Sequence, residues 1–170
     1  IVDGKATGTI SGLAAGDYTV SVKYAGDDKY AGVEVTEVVN VAKADAVLGV
    51  VIADVDYGNG FVIEATLTGV NNAKLTENIF VTINNKNYTV GVVNGRGIAI
   101  GDKLPAGVYN FSAAWSGNDN YNGTNTSGSF KVNKIDPALV VDVKDIKVGE
   151  NATISVNLDS DATGNVTITL

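Results

Sequence analysis

The 170-residue chain contains no cysteine, no histidine and no methionine. Without cysteine it has no disulfide, thiolate nucleophile, iron–sulfur cluster or thiolate zinc site. Without histidine it has no imidazole base near neutral pH, no Ser-His-Asp triad and no imidazole metal ligand. Charged residues make up 18% of the chain, below the usual quarter, and the net charge is −7. A basic face for nucleic acid is therefore not expected. No uninterrupted apolar run reaches membrane-spanning length, and residues 1–20 do not read as a signal peptide. Only two prolines interrupt the chain. No catalysis, cofactor or membrane insertion is expected of these residues.

What is abundant is β-branched. Val, Ile and Thr number 26, 12 and 15, together 53 of the 170 residues. Such side chains are stiff at χ1 and suit a pleated sheet better than a helix. Twenty glycines and 18 asparagines supply turns in bulk. The expected class is all-β with many short strands.

Compared with itself, the chain matches at an offset of 91. Leu13, Gly16 and Tyr18 fall on Leu104, Gly107 and Tyr109. Tyr24, Gly26, Asp28, Tyr30 and Gly32 fall on Trp115, Gly117, Asp119, Tyr121 and Gly123. Val41/Val132, Lys43/Lys134, Leu48/Leu139, Asp54/Asp145, Gly58/Gly149 and Leu67/Leu158 continue the register. Beyond Leu67 the offset becomes 85, so six extra residues lie within Thr68–Asn78, a polar stretch that reads as a loop. Residues 45–134 then form one complete unit. Residues 1–44 read as the second half of a unit and 135–170 as the first half of another. Lys43-Ala44-Asp45 and Lys134-Ile135-Asp136-Pro137 are the junctions, and the X-Pro step favours an extended link.

Period-2 alternation marks strands. Tyr18, Val20, Val22 and Tyr24 alternate with polar residues, as do Ile154, Val156 and Leu158, and Val166, Ile168 and Leu170. In the complete unit the pattern predicts strands near 46–53, 60–68, 79–84, 87–93, 97–100, 107–115 and 127–133. Seven short strands in such a unit suit an immunoglobulin-like β-sandwich, here without its disulfide. Tyr109, Phe111, Trp115, Phe61 and Phe80 are the expected core aromatics.

The motif Leu-x-x-Gly-x-Tyr … Tyr/Trp-x-Gly-x-Asp-x-Tyr resembles the group 3 bacterial immunoglobulin-like repeats. In particular it is similar to their tandem versions in adhesin-like surface proteins of methanogenic archaea. The motif residues are Leu13, Gly16, Tyr18, Tyr24, Gly26, Asp28 and Tyr30, and again Leu104, Gly107, Tyr109, Trp115, Gly117, Asp119 and Tyr121. The resemblance implies an extracellular location, at the cell surface or cell wall, and a stalk role in attachment. Its expected partners are neighbouring immunoglobulin-like domains or identical subunits, and surface glycans or proteins of a host or partner cell.

Several constellations remain. Asp27, Asp28 and Asp119 can offer oxygens to calcium, but a turn held by Asp and Asn side chains is the preferred reading. N-x-Ser/Thr sequons stand at Asn87, Asn110, Asn122, Asn125, Asn151 and Asn165. Asn87, Asn110, Asn151 and Asn165 fall out of phase with the apolar residues and are expected to face solvent. Asp54/Asp56 and Glu34/Glu37 do not form a glycosidase pair by their placement. Tyr57 beside Gly58-Asn59-Gly60 is the one aromatic offered for a carbohydrate-binding module, an alternative reading of the chain. Lys43 and Lys134 raise an isopeptide cross-link, for which no Asn and acid partner is evident. A further alternative is an extracellular filament or pilus whose subunits join head to tail, 135–170 of one completing 1–44 of the next.

Overall fold

The computed structural model describes residues 1–169 and is almost entirely β. The strands are β1 (Gly16–Gly26), β2 (Ala31–Val41), β3 (Val47–Ile52), β4 (Val55–Asp56), β5 (Gly60–Thr68) and β6 (Glu77–Ile83). They continue with β7 (Lys86–Val92), β8 (Arg96–Lys103), β9 (Gly107–Gly117), β10 (Asn122–Asn133), β11 (Val140–Val143) and β12 (Ile154–Asn157). Leu170, the last residue of the alternation read from the sequence, lies outside the described residues.

Strands β3–β10 make a two-layer sandwich. One sheet has the order β3-β5-β8 and the other β4-β10-β9-β6-β7. The chain enters in the first sheet as β3 and crosses to the second as β4, which runs parallel to β10. This is the immunoglobulin-like arrangement, with no cysteine to bridge the layers. The switch between sheets is held by Asp54, whose carboxylate accepts the Lys131 amide at 2.7 Å. Tyr109, early on β9, donates its hydroxyl to the Pro105 carbonyl at 2.9 Å, closing the corner into that strand. Tyr18 repeats this bond with the Ala14 carbonyl at 3.0 Å. The Gly-x-Tyr motif is therefore a tyrosine corner, made twice.

Alternation explains the core. Phe61, Ile63, Ala65 and Leu67 of β5 face Ile79, Val81 and Ile83 of β6, Val90 and Val92 of β7, and Phe111, Ala113 and Trp115 of β9. Phe130 and Val132 of β10 close the end beside β4. Phe61 lies against Phe130 and Tyr88 with ring centroids 4.9 and 5.6 Å apart. All seven strands expected in residues 45–134 form, four of them longer than the pattern indicated, and β4 is an addition.

Phe80 is a correction: it is 53% exposed, not core. Its neighbours Ile79 and Val81 already take the inward positions of β6, so period 2 turns the ring outward. Phe130 occupies the core place instead. A second difference concerns residues 165–169, which do not form a strand. Their counterparts in β6 are held between β7 and β9, and residues 165–169 have no such neighbours.

Turns follow their residues. Asn84 and Asn85, with φ of 47° and 60°, make the two-residue hairpin between β6 and β7. The inserted stretch after β5 carries a single 3-10 turn, Val70–Asn72.

Truncating Phe61 to Ala should cost about 3–5 kcal/mol, because it empties a fully enclosed site. The same change at Phe80 should stay within about 1 kcal/mol. Urea denaturation followed by the single tryptophan, Trp115, measures both.

Candidate functional site

The residues that connect one repeat to the next form the most elaborated polar region of the chain. The turn between β9 and β10, Gly117-Asn118-Asp119-Asn120-Tyr121, is tightened by Asn118. Its side-chain oxygen accepts the amides of Asn120 and Tyr121, each at 3.0 Å. Its nitrogen donates to Glu77 Oε1 at 2.8 Å, fixing the turn to β6. Gly117 has φ of +84°, and a Cβ there would stand 2.5 Å from the Tyr121 carbonyl oxygen and 2.6 Å from the Gly123 nitrogen. Only glycine fits that position. Tyr121 then lies against Gly69, and its ring centroid is 6.4 Å from that of Trp115.

This turn grips the preceding junction. Ala44 pairs with Tyr121 in a short parallel bridge: its amide donates to the Asn120 carbonyl at 2.9 Å and its carbonyl accepts the Asn122 amide at 2.8 Å. Asn122 Nδ2 donates to Asp45 Oδ1 at 2.8 Å, and Lys43 Nζ donates to the Asn118 carbonyl at 2.8 Å. Asn120 Oδ1 reaches back to the Ala15 amide at 2.9 Å, in the segment that leads into β1. A shallow hollow lined by Leu13, Val41, Val70 and Tyr121 lies beneath these bonds. Individually such exposed bonds contribute about 0.5–1.5 kcal/mol. Together they set the path of the chain from β2 into β3.

The turn between β1 and β2 is the same device with Asp27 in place of Asn118. Asp27 Oδ1 accepts the amides of Lys29 and Tyr30, each at 2.8 Å. Its second oxygen accepts the Tyr24 hydroxyl. That hydroxyl, followed by the two amides, holds the Asp27 carboxyl below the usual carboxylate range. Gly26, with φ of +89°, occupies the place of Gly117. Both oxygens of Asp27 are thus engaged in the turn. Asp27 and Asp28 lie in one turn and Asp119 in the other, and among the described residues no three acidic groups gather as for a metal ion.

The other residues singled out from the sequence are dispersed. Asp54 and Asp56 both accept bonds from β10, Asp56 from Asn133 Nδ2 at 3.3 Å. Glu34 accepts the Ser21 hydroxyl at 2.6 Å. Tyr57 is half exposed, and its amide donates to the Asn133 carbonyl at 2.9 Å. Asn87, Asn110, Asn122, Asn125, Asn151 and Asn165 are all exposed. Asn122 differs in that its amide nitrogen is engaged by Asp45, so a glycan there would open the junction. Lys43 Nζ meets the main-chain carbonyl of Asn118.

Reasoning from the sequence missed Asn118, Asn120, Asn122 and Glu77 as junction residues. Their partners lie 41–105 positions away along the chain. The one available signal was the polar pentapeptide that fills the same place in both copies.

No protein-family model and no curated protein sequence matches the chain. Among solved structures it is similar to domains 4 and 5 of the S-layer protein SbsC. The TM-score is 0.38, at 20% identity over 70% of this chain. The chain spans 58% of the length of that structure.

Acid should distinguish the two turns. A carboxylate held below its ordinary range contributes its full stabilisation above that range and loses it as pH falls from there through the lowered value of the folded state. Hydrogen-exchange protection at the Lys29 and Tyr30 amides should therefore collapse in acid, while that at Asn120 and Tyr121 persists, because Asn118 does not titrate.

Proposed function

We propose that this chain is a non-catalytic segment of an extracellular, cell-surface stalk built of tandem immunoglobulin-like units that mediates attachment. The observation that carries the reading is the repetition of structure, not of sequence alone. The β1–β2 register, from Gly16↔Val41 to Gly26↔Ala31, is the β9–β10 register, from Gly107↔Val132 to Gly117↔Asn122, shifted by 91. The β11–β12 pairs, Val140↔Asn157 to Val143↔Ile154, are the β3–β5 pairs Gly49↔Thr66 to Ile52↔Ile63 under the same shift.

The mechanism is mechanical. The linker of three residues, Lys43-Ala44-Asp45, leaves no slack between β2 and the sandwich. The turn ending in Tyr121 fastens it from the side, so neighbouring units hold one orientation rather than swinging freely. In a tandem array each unit keeps its own stability and adds a nearest-neighbour term. Such an array gives reach and stiffness, and presents whatever lies at its far end away from the cell wall. The absence of histidine and cysteine supports the non-catalytic part of the reading.

In dilute solution, nitrogen-15 relaxation should give residues 16–41 and 47–133 one shared rotational correlation time. Replacing Asn120 and Asn122 together by Ala should separate them into two. Independent tumbling in the unaltered chain would contradict a stiff stalk. Antibody raised against the chain should label intact, unpermeabilised source cells, and labelling only after permeabilisation would overturn the surface location.

A further inference from the structure

The two outer faces of the complete sandwich differ in chemistry. On the β3-β5-β8 sheet the outward positions are largely apolar: Val51, Val62, Ile98 and Ile100 are 65%, 44%, 68% and 81% exposed. No sequon asparagine lies in these three strands. On the other sheet the outward side chains of β10, β9, β6 and β7 are mostly Ser, Thr and Asn, and Lys131 is the one charged side chain among them.

Three sequons fall on this neutral face, each on a different strand. They are Asn87-Tyr88-Thr89 on β7, Asn110-Phe111-Ser112 on β9 and Asn125-Thr126-Ser127 on β10. Residues i and i+2 of a strand share a face, so each asparagine and the hydroxyl of its own sequon point outward together. All six are exposed, whereas Tyr88, Phe111 and Thr126 between them are not. The register ties the sequons into one surface: Asn87 pairs with Thr82, Thr82 with Ser112, and Ser112 with Ser127. Strand spacing and rise then set the three asparagines roughly 12–16 Å apart, room enough for separate substituents.

The nitrogen of each is available. The Thr82 hydroxyl donates to Asn87 Oδ1 at 2.8 Å, which leaves Nδ2 of Asn87 free. Among the described residues, Nδ2 of Asn110 and of Asn125 has no hydrogen-bond partner. Asn122 is the contrast, because its Nδ2 is committed to Asp45. A different copy of the repeat repeats the choice of face: the sequon asparagine Asn165 is the counterpart of Phe80, an outward position of β6.

We propose that Asn87, Asn110 and Asn125 carry N-linked glycans, coating one face of the unit while the other face and Asn122 stay bare. This rests on the reading of the chain as extracellular and assigns the modification that its surface carries. The donor is an oligosaccharide linked through phosphate to a lipid. The bond from C1 of its first sugar to the phosphate oxygen breaks, and the lipid phosphate leaves with the electron pair. Asn Nδ2 bonds to C1 and gives up one proton. Glycans are bulky and solubilising, and they supply the hydration that a flat face with a single charge lacks.

The test uses protein isolated from its source cells, its glycopeptides sequenced by a fragmentation method that keeps the sugar on its residue. Asn87, Asn110 and Asn125 should each carry a glycan mass, and Asn122 none. Thr89→Ala, Ser112→Ala and Ser127→Ala each remove one sequon and keep its asparagine. Produced in the source cells, each variant should lose the mass of one glycan. Thr124→Ala removes the sequon of Asn122 and should leave the glycan content unchanged. A bare asparagine at any of the three positions, or a glycan on Asn122 as often as on them, would overturn the proposal. Failure of the extracellular reading would appear separately, as antibody labelling only after permeabilisation. Bare asparagines in protein labelled on intact cells count against the glycans alone.

Discussion

An antiparallel hairpin buries nothing by itself. Its apolar face must meet a second sheet and its edges must be paired, and this requirement organises the chain. Where both conditions are met, in residues 46–132, seventeen hydrophobic side chains are buried and no polar residue is buried with them. Where they are not met, the same local patterns give paired strands with little core. The hairpin β1–β2 keeps the pairing of β9–β10 to the residue, yet its inward positions reach solvent. Local sequence is sufficient for strand and register; only a facing layer turns them into a stable unit.

The absence of a disulfide shifts the task of holding the layers onto packing and corners. Phe61, Phe130, Tyr109 and Tyr88 form a linked aromatic group at one end of the sandwich. Trp115 and Tyr121 close the other end, and Tyr121 is also the residue whose turn grips the junction. Core and junction are therefore coupled through one side chain. A change that loosens the end of the sandwich also loosens the link to the preceding unit. On the outer surface Lys86, Asp102 and Tyr88 form a small polar cluster, with Asp102 held below the usual carboxylate range by Lys86 and then Tyr88. Exposed on that face, such an ion pair contributes little to stability.

Much of the fold was legible in the residues, because alternation and repetition are properties of one sequence. The offset of 91 anticipated which strands would share a register, and the polar insertion after Leu67 marked its loop. Phe80 shows the limit of reasoning from residue type: its ring suggested the core, while the positions of Ile79 and Val81 already assigned it outward. The two-residue strand β4 is too short to leave a periodic signal. The junction was hidden for a different reason. Asn118, Asn120 and Asn122 look like ordinary turn formers, and what sets them apart is contact with Ala15 and residues 43–45, which no local pattern encodes. Residues 165–169 have the alternation of a strand but lack the neighbours that would make them one.

The distribution of protection along the chain tests the central claim, that paired edges and a facing layer turn a hairpin into a stable unit. Hydrogen exchange should be read residue by residue. The amides of β9, which lies between β10 and β6, should be strongly protected. Those of β1, paired with β2 in the same register, should exchange much faster. Equal protection of β1 and β9 would contradict that claim.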